Sequence, residues 1–112
     1  MGNETENNEN ECGTTPFDIS LTEASAMTAR YRTNAAANAI IGYYFSKQAI
    51  MDVVNQVGCT GIRIYYGLDA SMVQNLIITA TDSSNNDMYN GKLIEHGMPC
   101  PTMCSTTNPL NS

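Results

Sequence analysis

Apolar residues recur along this chain in two different periods, and the change between them separates helical from extended stretches. Leu21, Ala24, Met27, Thr28 and Tyr31 fall three and four residues apart, as one face of an α-helix requires. Ser20-Leu21-Thr22-Glu23 precedes them as a capping box, in which Ser20 and Glu23 satisfy each other's amides. A first helix is expected over 21–32. Residues 34–44 read both ways: their alanines favour helix, while Gly42 and the pair Tyr43-Tyr44 oppose it. Behind Ser46, a second N-cap, Ile50, Val53, Val54 and Val57 repeat the spacing of one buried stripe. Gly58 stands where a glycine closes a helix, so a second helix is expected over 47–57. Val54 lies on its stripe and Gln56 off it, so alanine is expected to be costly at the first and cheap at the second.

From Gly61 the period falls to two. In Gly61-Ile62-Arg63-Ile64-Tyr65-Tyr66-Gly67, one strand face carries Ile62, Ile64 and Tyr66 and the other Arg63 and Tyr65. Residues 73–81 are rich in β-branched side chains and form a second strand, close enough for a hairpin. Tyr89-Asn90-Gly91-Lys92 offers the Asn-Gly pair of a type I′ turn, with Leu93 and Ile94 beyond it. Pro99, Pro101 and Pro109 oppose regular structure after Gly97, so the C-terminal end is expected to be an extended loop. The pattern predicts an α+β fold: two helices on one face of a three- to four-stranded antiparallel sheet, within a single domain over 17–112. Residues 1–16 are rich in Asn and Glu and predict a flexible acidic tail.

Four segments carry a resemblance: Gly61 to Asp69, Asn86 to Tyr89, Pro99-Cys100-Pro101-Thr102-Met103-Cys104, and Asn108 to Ser112. Together they resemble a group of small bacterial proteins of the Bacteroidota type. The resemblance spans roughly residues 19–112 and implies a bacterial protein; it brings no activity with it.

Composition narrows the function. Charged residues make up 14% of the chain, and 13 Asn, 12 Thr and 8 Ser supply polarity in their place. A surface poor in charge resembles the centre of a protein interface. The formal net charge is −6; Glu4, Glu6, Glu9 and Glu11 provide −4 of it, which leaves the body near −2. The five Lys and Arg residues are too few and scattered for a phosphate-binding patch, so no nucleic-acid partner is expected. There is no basic start with an apolar stretch and no run of about 18 apolar residues. The expectation is therefore a cytoplasmic chain, without a membrane partner and with reduced thiols.

His96, Cys100 and Cys104, with Cys59 or Cys12 as a fourth ligand, have the chemistry of a tetrahedral zinc site. Against it, Cys-x3-Cys lacks the tight knuckle spacing. A disulfide, either Cys100–Cys104 or one of these with Cys59, and simple unbonded thiols remain open beside the metal. Asp82 to Asp87 has acids and amides at the first calcium-loop positions but Asp87 where glycine is needed and Leu93 where glutamate is needed, which leaves a strand-connecting loop. Five of the six tyrosines, among them Tyr43, Tyr44 and Tyr65, exceed what a thin core requires, and tyrosine favours interfaces. The leading expectation is a non-catalytic, cofactor-free protein that assembles with copies of itself through Tyr65, Arg63, Tyr43 and Tyr44. The alternative is a small zinc- or thiol-based module on the cysteine cluster.

Overall fold

A computed structural model describes residues 15–112. The tail expected over 1–16, with Cys12, lies outside the described residues except for Thr15 and Pro16. The remainder divides into two compact units, one of residues 15–33 with 107–112 and the other of residues 34–106.

The first unit is built on helix α1, Leu21–Asn34. Its capping box forms as the sequence specifies: the Glu23 amide donates to Ser20 Oγ at 3.0 Å and the Ser20 amide to Glu23 Oε1 at 3.4 Å. At its other end the Arg32 guanidinium donates to the carbonyls of Leu110 and Ser112, both at 2.6 Å. No residue of α1 is buried.

The second unit contains β1 (Gly42–Tyr44), α2 (Lys47–Val54), β2 (Gly61–Leu68), β3 (Gln74–Thr81), β4 (Leu93–Ile94) and β5 (Met98–Cys100). Strands β2, β3 and β4 form an antiparallel sheet in that order, with Gly61 opposite Thr81, Leu68 opposite Gln74 and Ile78 opposite Ile94. Strands β1 and β5 pair separately, with Gly42 opposite Cys100 and Tyr44 opposite Met98. The fold is α+β. The extended C-terminal loop expected after Gly97 instead begins with β5, where Pro99 is tolerated in a short two-stranded ladder.

Helix α2 starts as predicted, with Ser46 Oγ accepting from the Ala49 amide at 3.1 Å, but stops at Val54 rather than Val57. A continuing helix would have the Val57 amide donate to the Val53 carbonyl. The Gln56 side-chain amide takes that acceptor at 2.9 Å, Gly58 turns the chain with φ +90°, and Val57 is left 97% exposed. Gln56 Oε1 also accepts the Lys92 amide at 2.7 Å. Gly91 lies directly beneath, where a side chain would strike that oxygen. Asn90 and Gly91 both keep negative φ, so the expected type I′ hairpin does not form. Glycine is needed there for close approach to Gln56.

Both ends of β3 carry the same five-residue turn. In Asp69–Val73 the aspartate Oδ1 accepts the amides of Ser71 and Val73 at 2.8 and 2.9 Å, while the Asp69 amide donates to the Val73 carbonyl. In Asp82–Asn86 the Asp82 Oδ1 accepts the amides of Ser84 and Asn86 at 2.9 and 3.0 Å, and the Asp82 amide donates to the Asn86 carbonyl. The fourth residue is left-handed in each, Met72 at φ 66° and Asn85 at φ 65°. Asn accepts that conformation readily and Met does not. The carboxylate that sequence aligned with a calcium loop is thus engaged by its own backbone.

Val53 of α2 and Ile78 and Ala80 of β3 form the buried core, with Phe45, Ile50, Cys59, Met88 and Ile94 packed against it. In urea melts, Val53→Ala is expected to cost about 2 kcal/mol by emptying this core. Gln56→Ala, once expected to be cheap, should cost about 1–2 kcal/mol by stranding the Val53 carbonyl and the Lys92 amide. Val57→Ala should cost under about 0.5 kcal/mol; equal losses at Val53 and Val57 would contradict the early helix end. Met72→Asn is expected to stabilise by about 0.5–1 kcal/mol through relief at positive φ, since Met72 is exposed and no packing is lost. An unchanged or lower midpoint would contradict the turn assignment.

Candidate interaction surface

Strand β2 is an edge, and its two faces have opposite character. Residues opposed across an antiparallel ladder share a face. Ile62 lies opposite Ala80 and Ile64 opposite Ile78, so Ile62, Ile64, Tyr66 and Leu68 are on the face that α2 covers at β3. Sequence places Ile62, Ile64 and Tyr66 against the helices, yet they are not buried. Ile62 is 40%, Ile64 51%, Tyr66 84% and Leu68 62% exposed. The helix packs on β3, where Val53 meets Ile78 and Ala80, and its contact with β2 still leaves these four side chains exposed.

Among the described residues, the backbone of these four also has no partner on the outer side. The Met88 amide donates to the Ala80 carbonyl at 2.8 Å, so the backbone groups of Ala80 point away from β2. In an antiparallel ladder this direction alternates residue by residue. Gly61, Arg63, Tyr65 and Gly67 therefore bond to β3, and the N–H and C=O of Ile62, Ile64, Tyr66 and Leu68 point out of the sheet. Among the described residues, β2 has β3 as its one partner strand. The same four residues thus present apolar side chains and open backbone groups together.

The opposite face is polar and closed on itself. The second Asp turn returns the chain so that Asp87 bridges to Thr81, on the face of Arg63 and Tyr65. One Asp87 oxygen accepts from the Arg63 guanidinium and the other from the Tyr65 hydroxyl. Arg63 also donates to Asn85 Oδ1 at 2.8 Å. The hydrogen bond from Tyr65, and then that from Arg63, hold the Asp87 carboxyl below the usual carboxylate range. The same bond to Asp87 raises the Tyr65 phenol. The side chains of Arg63 and Asp87 are 34% and 22% exposed, so solvent screens the pair only in part.

The structure therefore brings the expected contact residues Arg63 and Tyr65 together, but around Asp87 of their own chain. Asp87 was missed because sequence placed it only in a connecting loop; the shared Asp-turn pattern at 69 and 82 was the signal that the chain doubles back. Tyr43 donates its hydroxyl to the Gln74 carbonyl. Tyr44 is exposed and lines a cleft of about 390 Å³ with Phe45, Ile94, His96 and Met98.

The cysteine cluster separates. Cys100 and Cys104 form a disulfide, with Cα atoms 4.8 Å apart. Cys59 is a free thiol against the core that donates to the Gly61 carbonyl at 3.2 Å. His96 is exposed, with Nε2 3.0 Å from Glu95 Oε2. Among the described residues no group of three or more His, Cys, Asp or Glu side chains is placed to hold a metal ion, and no helix is long and apolar enough to cross a membrane.

The depressed Asp87 carboxyl makes the polar face sensitive to acid. Its stabilisation is fully present above the unfolded value of about 4 and is lost as pH falls through the lower folded value. Asp87→Asn is therefore expected to be less stable than the native chain at pH 7, with the gap closing below about pH 4. Thermal melts across that range check this; a gap that stays constant into acid would contradict it. The chain matches no known protein family, no characterised protein and no solved structure.

Proposed function

We propose that this is a non-catalytic structural or interaction protein, of the bacterial type its sequence resembles, whose activity is association with copies of itself. The single observation that carries the reading is the β2 edge, where Ile62, Ile64, Tyr66 and Leu68 are exposed beside unpaired backbone groups. Soluble proteins blunt such edges with Lys, Pro, bulges or very short strands. Strand β2 has eight residues, no Pro, no Lys and one charge, Arg63, which Asp87 already neutralises. The surface thus moves from Tyr65 to the other face of the same strand.

The magnitudes allow association without making it tight. Each of these exposed side chains offers about 1–2 kcal/mol on burial. Association itself costs at least about 4 kcal/mol and in many accounts more than 10. One strand against a featureless surface falls short, whereas two such edges with backbone hydrogen bonds suffice for roughly micromolar affinity. The Cys100–Cys104 disulfide favours an oxidising compartment over the cytoplasm expected from sequence, because cytosolic thiols are kept reduced.

Tyr66→Glu is expected to lower the sedimentation coefficient while leaving circular dichroism unchanged, since Tyr66 is almost fully exposed. Tyr89→Glu, at an exposed tyrosine outside the sheet, should leave sedimentation unchanged. A native chain that sediments as a monomer at about 100 μM, well above a micromolar dissociation constant, would overturn the proposal.

A further inference from the structure

Given self-association at this edge, we infer that two copies join β2 to β2 antiparallel about a two-fold axis at Tyr65, giving a closed dimer with a continuous six-stranded sheet. The inference rests on the reading above and adds the register, the symmetry and the end point of assembly. The outward-pointing residues are 62, 64, 66 and 68, and an antiparallel ladder forms only when outward residues oppose outward residues. A slip by one residue would oppose Ile64 to an inward-bonded residue of the second copy and lose the ladder. The candidates are therefore the registers two residues apart.

Charge and length choose among them. With the axis at Tyr65, Ile62 opposes Leu68 and Ile64 opposes Tyr66, in both directions, so all four outward residues are paired within β2. Arg63 then lies opposite Gly67 of the second copy, with Asp69 of that copy as a diagonal neighbour about 7–8 Å away. With the axis moved to Ile64, the two Arg63 residues become diagonal neighbours of like sign. With the axis moved to Arg63, they oppose each other directly, which destabilises a sheet. With the axis moved to Tyr66, Ile62 falls opposite residue 70, beyond the end of β2. The axis at Tyr66 would set Arg63 opposite Asp69 but leave Ile62 unpaired, whereas the axis at Tyr65 keeps unlike charge near, avoids like charge and uses the whole strand. It also makes two Ile–Tyr cross-strand pairs, a favourable combination in sheets.

Assembly ends there. The other edge of the sheet is β4, with two residues, and the separate β1–β5 sheet has three-residue strands, one carrying Pro99. Each copy therefore offers one long edge, and an interface that a chain makes with itself closes as a dimer.

Cysteine cross-linking tests this, in the full chain carrying Cys12→Ser. Ile64→Cys and Tyr66→Cys are oxidised mildly, each alone and mixed, with Tyr65→Cys alone as a further variant. The expected result is a shift to twice the monomer mass on non-reducing gels for the mixture and for Tyr65→Cys, with Ile64→Cys alone and Tyr66→Cys alone cross-linking more slowly. Residues 64 and 66 are exposed, so the mixed pair remains informative if Tyr65→Cys fails to fold. Faster cross-linking of Ile64→Cys alone, or of Tyr66→Cys alone, would overturn the register while leaving self-association intact. A native chain that sediments as a dimer with no cross-link in any arm would place the interface elsewhere and overturn the inference. A monomeric native chain would overturn both readings.

Discussion

Everything distinctive about this molecule follows from where one short helix sits. Helix α2 has eight residues and is about 12 Å long, whereas an eight-residue strand such as β2 runs about 27 Å. A helix of that length can seal one strand of the sheet along part of its course. Val53 does so over Ile78 and Ala80 of β3, the fully buried centre of the core. Extending α2 by the one turn that the Val57 spacing suggests would lengthen the cover, but Gln56 takes the Val53 carbonyl and prevents it. Beside that short helix the row on β2 stays exposed.

Two identical turns then decide what the uncovered row presents. The Asp69 and Asp82 carboxylates each bind two amides of the chain that follows, which fixes both ends of β3 and with them the register of β2. A one-residue slip would move Ile62, Ile64 and Tyr66 to the polar face. The second turn also carries Asp87 back to Arg63 and Tyr65. That network satisfies one face of β2 internally and leaves the other apolar, so the strand is asymmetric although its sequence alternates evenly.

What sequence reveals here is local, and what it hides is coverage. The strands expected over 61–67 and 73–81 are found at Gly61–Leu68 and Gln74–Thr81, because alternation and β-branching act within each strand. The capping residues Ser20 and Ser46 are equally legible, since a cap involves neighbours three residues away. The end of α2 was not legible, because its stripe of valines continues past the point where a side chain displaces the helical hydrogen bond. Nor was Gly91, whose reason is a contact with Gln56 far away in sequence. Alternation shows that β2 has two faces but carries no information on how much of either a helix reaches. Sequence expects the contact at Tyr65 and Arg63, and the apolar row that stays exposed lies on the opposite face of the same strand. The cysteine spacing left metal, disulfide and free thiol open, and the fold that sets Cys100 beside Cys104 decides between them.

The scarcity of charge acquires a specific meaning at this edge. Most of the −6 formal charge belongs to the first sixteen residues, and the body is near −2, so long-range repulsion between two bodies is weak and screened within about 10 Å. Short-range repulsion depends on what lies in the strand itself. Arg63 is the single ionised group of β2, and Asp87 neutralises it on the face opposite the apolar row. A lysine at any of the four outward positions would have blunted the edge at little cost to a core that does not use them. The residues there are two isoleucines, a tyrosine and a leucine, which lose exposure only when something is placed against them. The helix of the same unit contacts β2 without burying them, and β2 offers a second copy a row of the same length, chemistry and open hydrogen bonds.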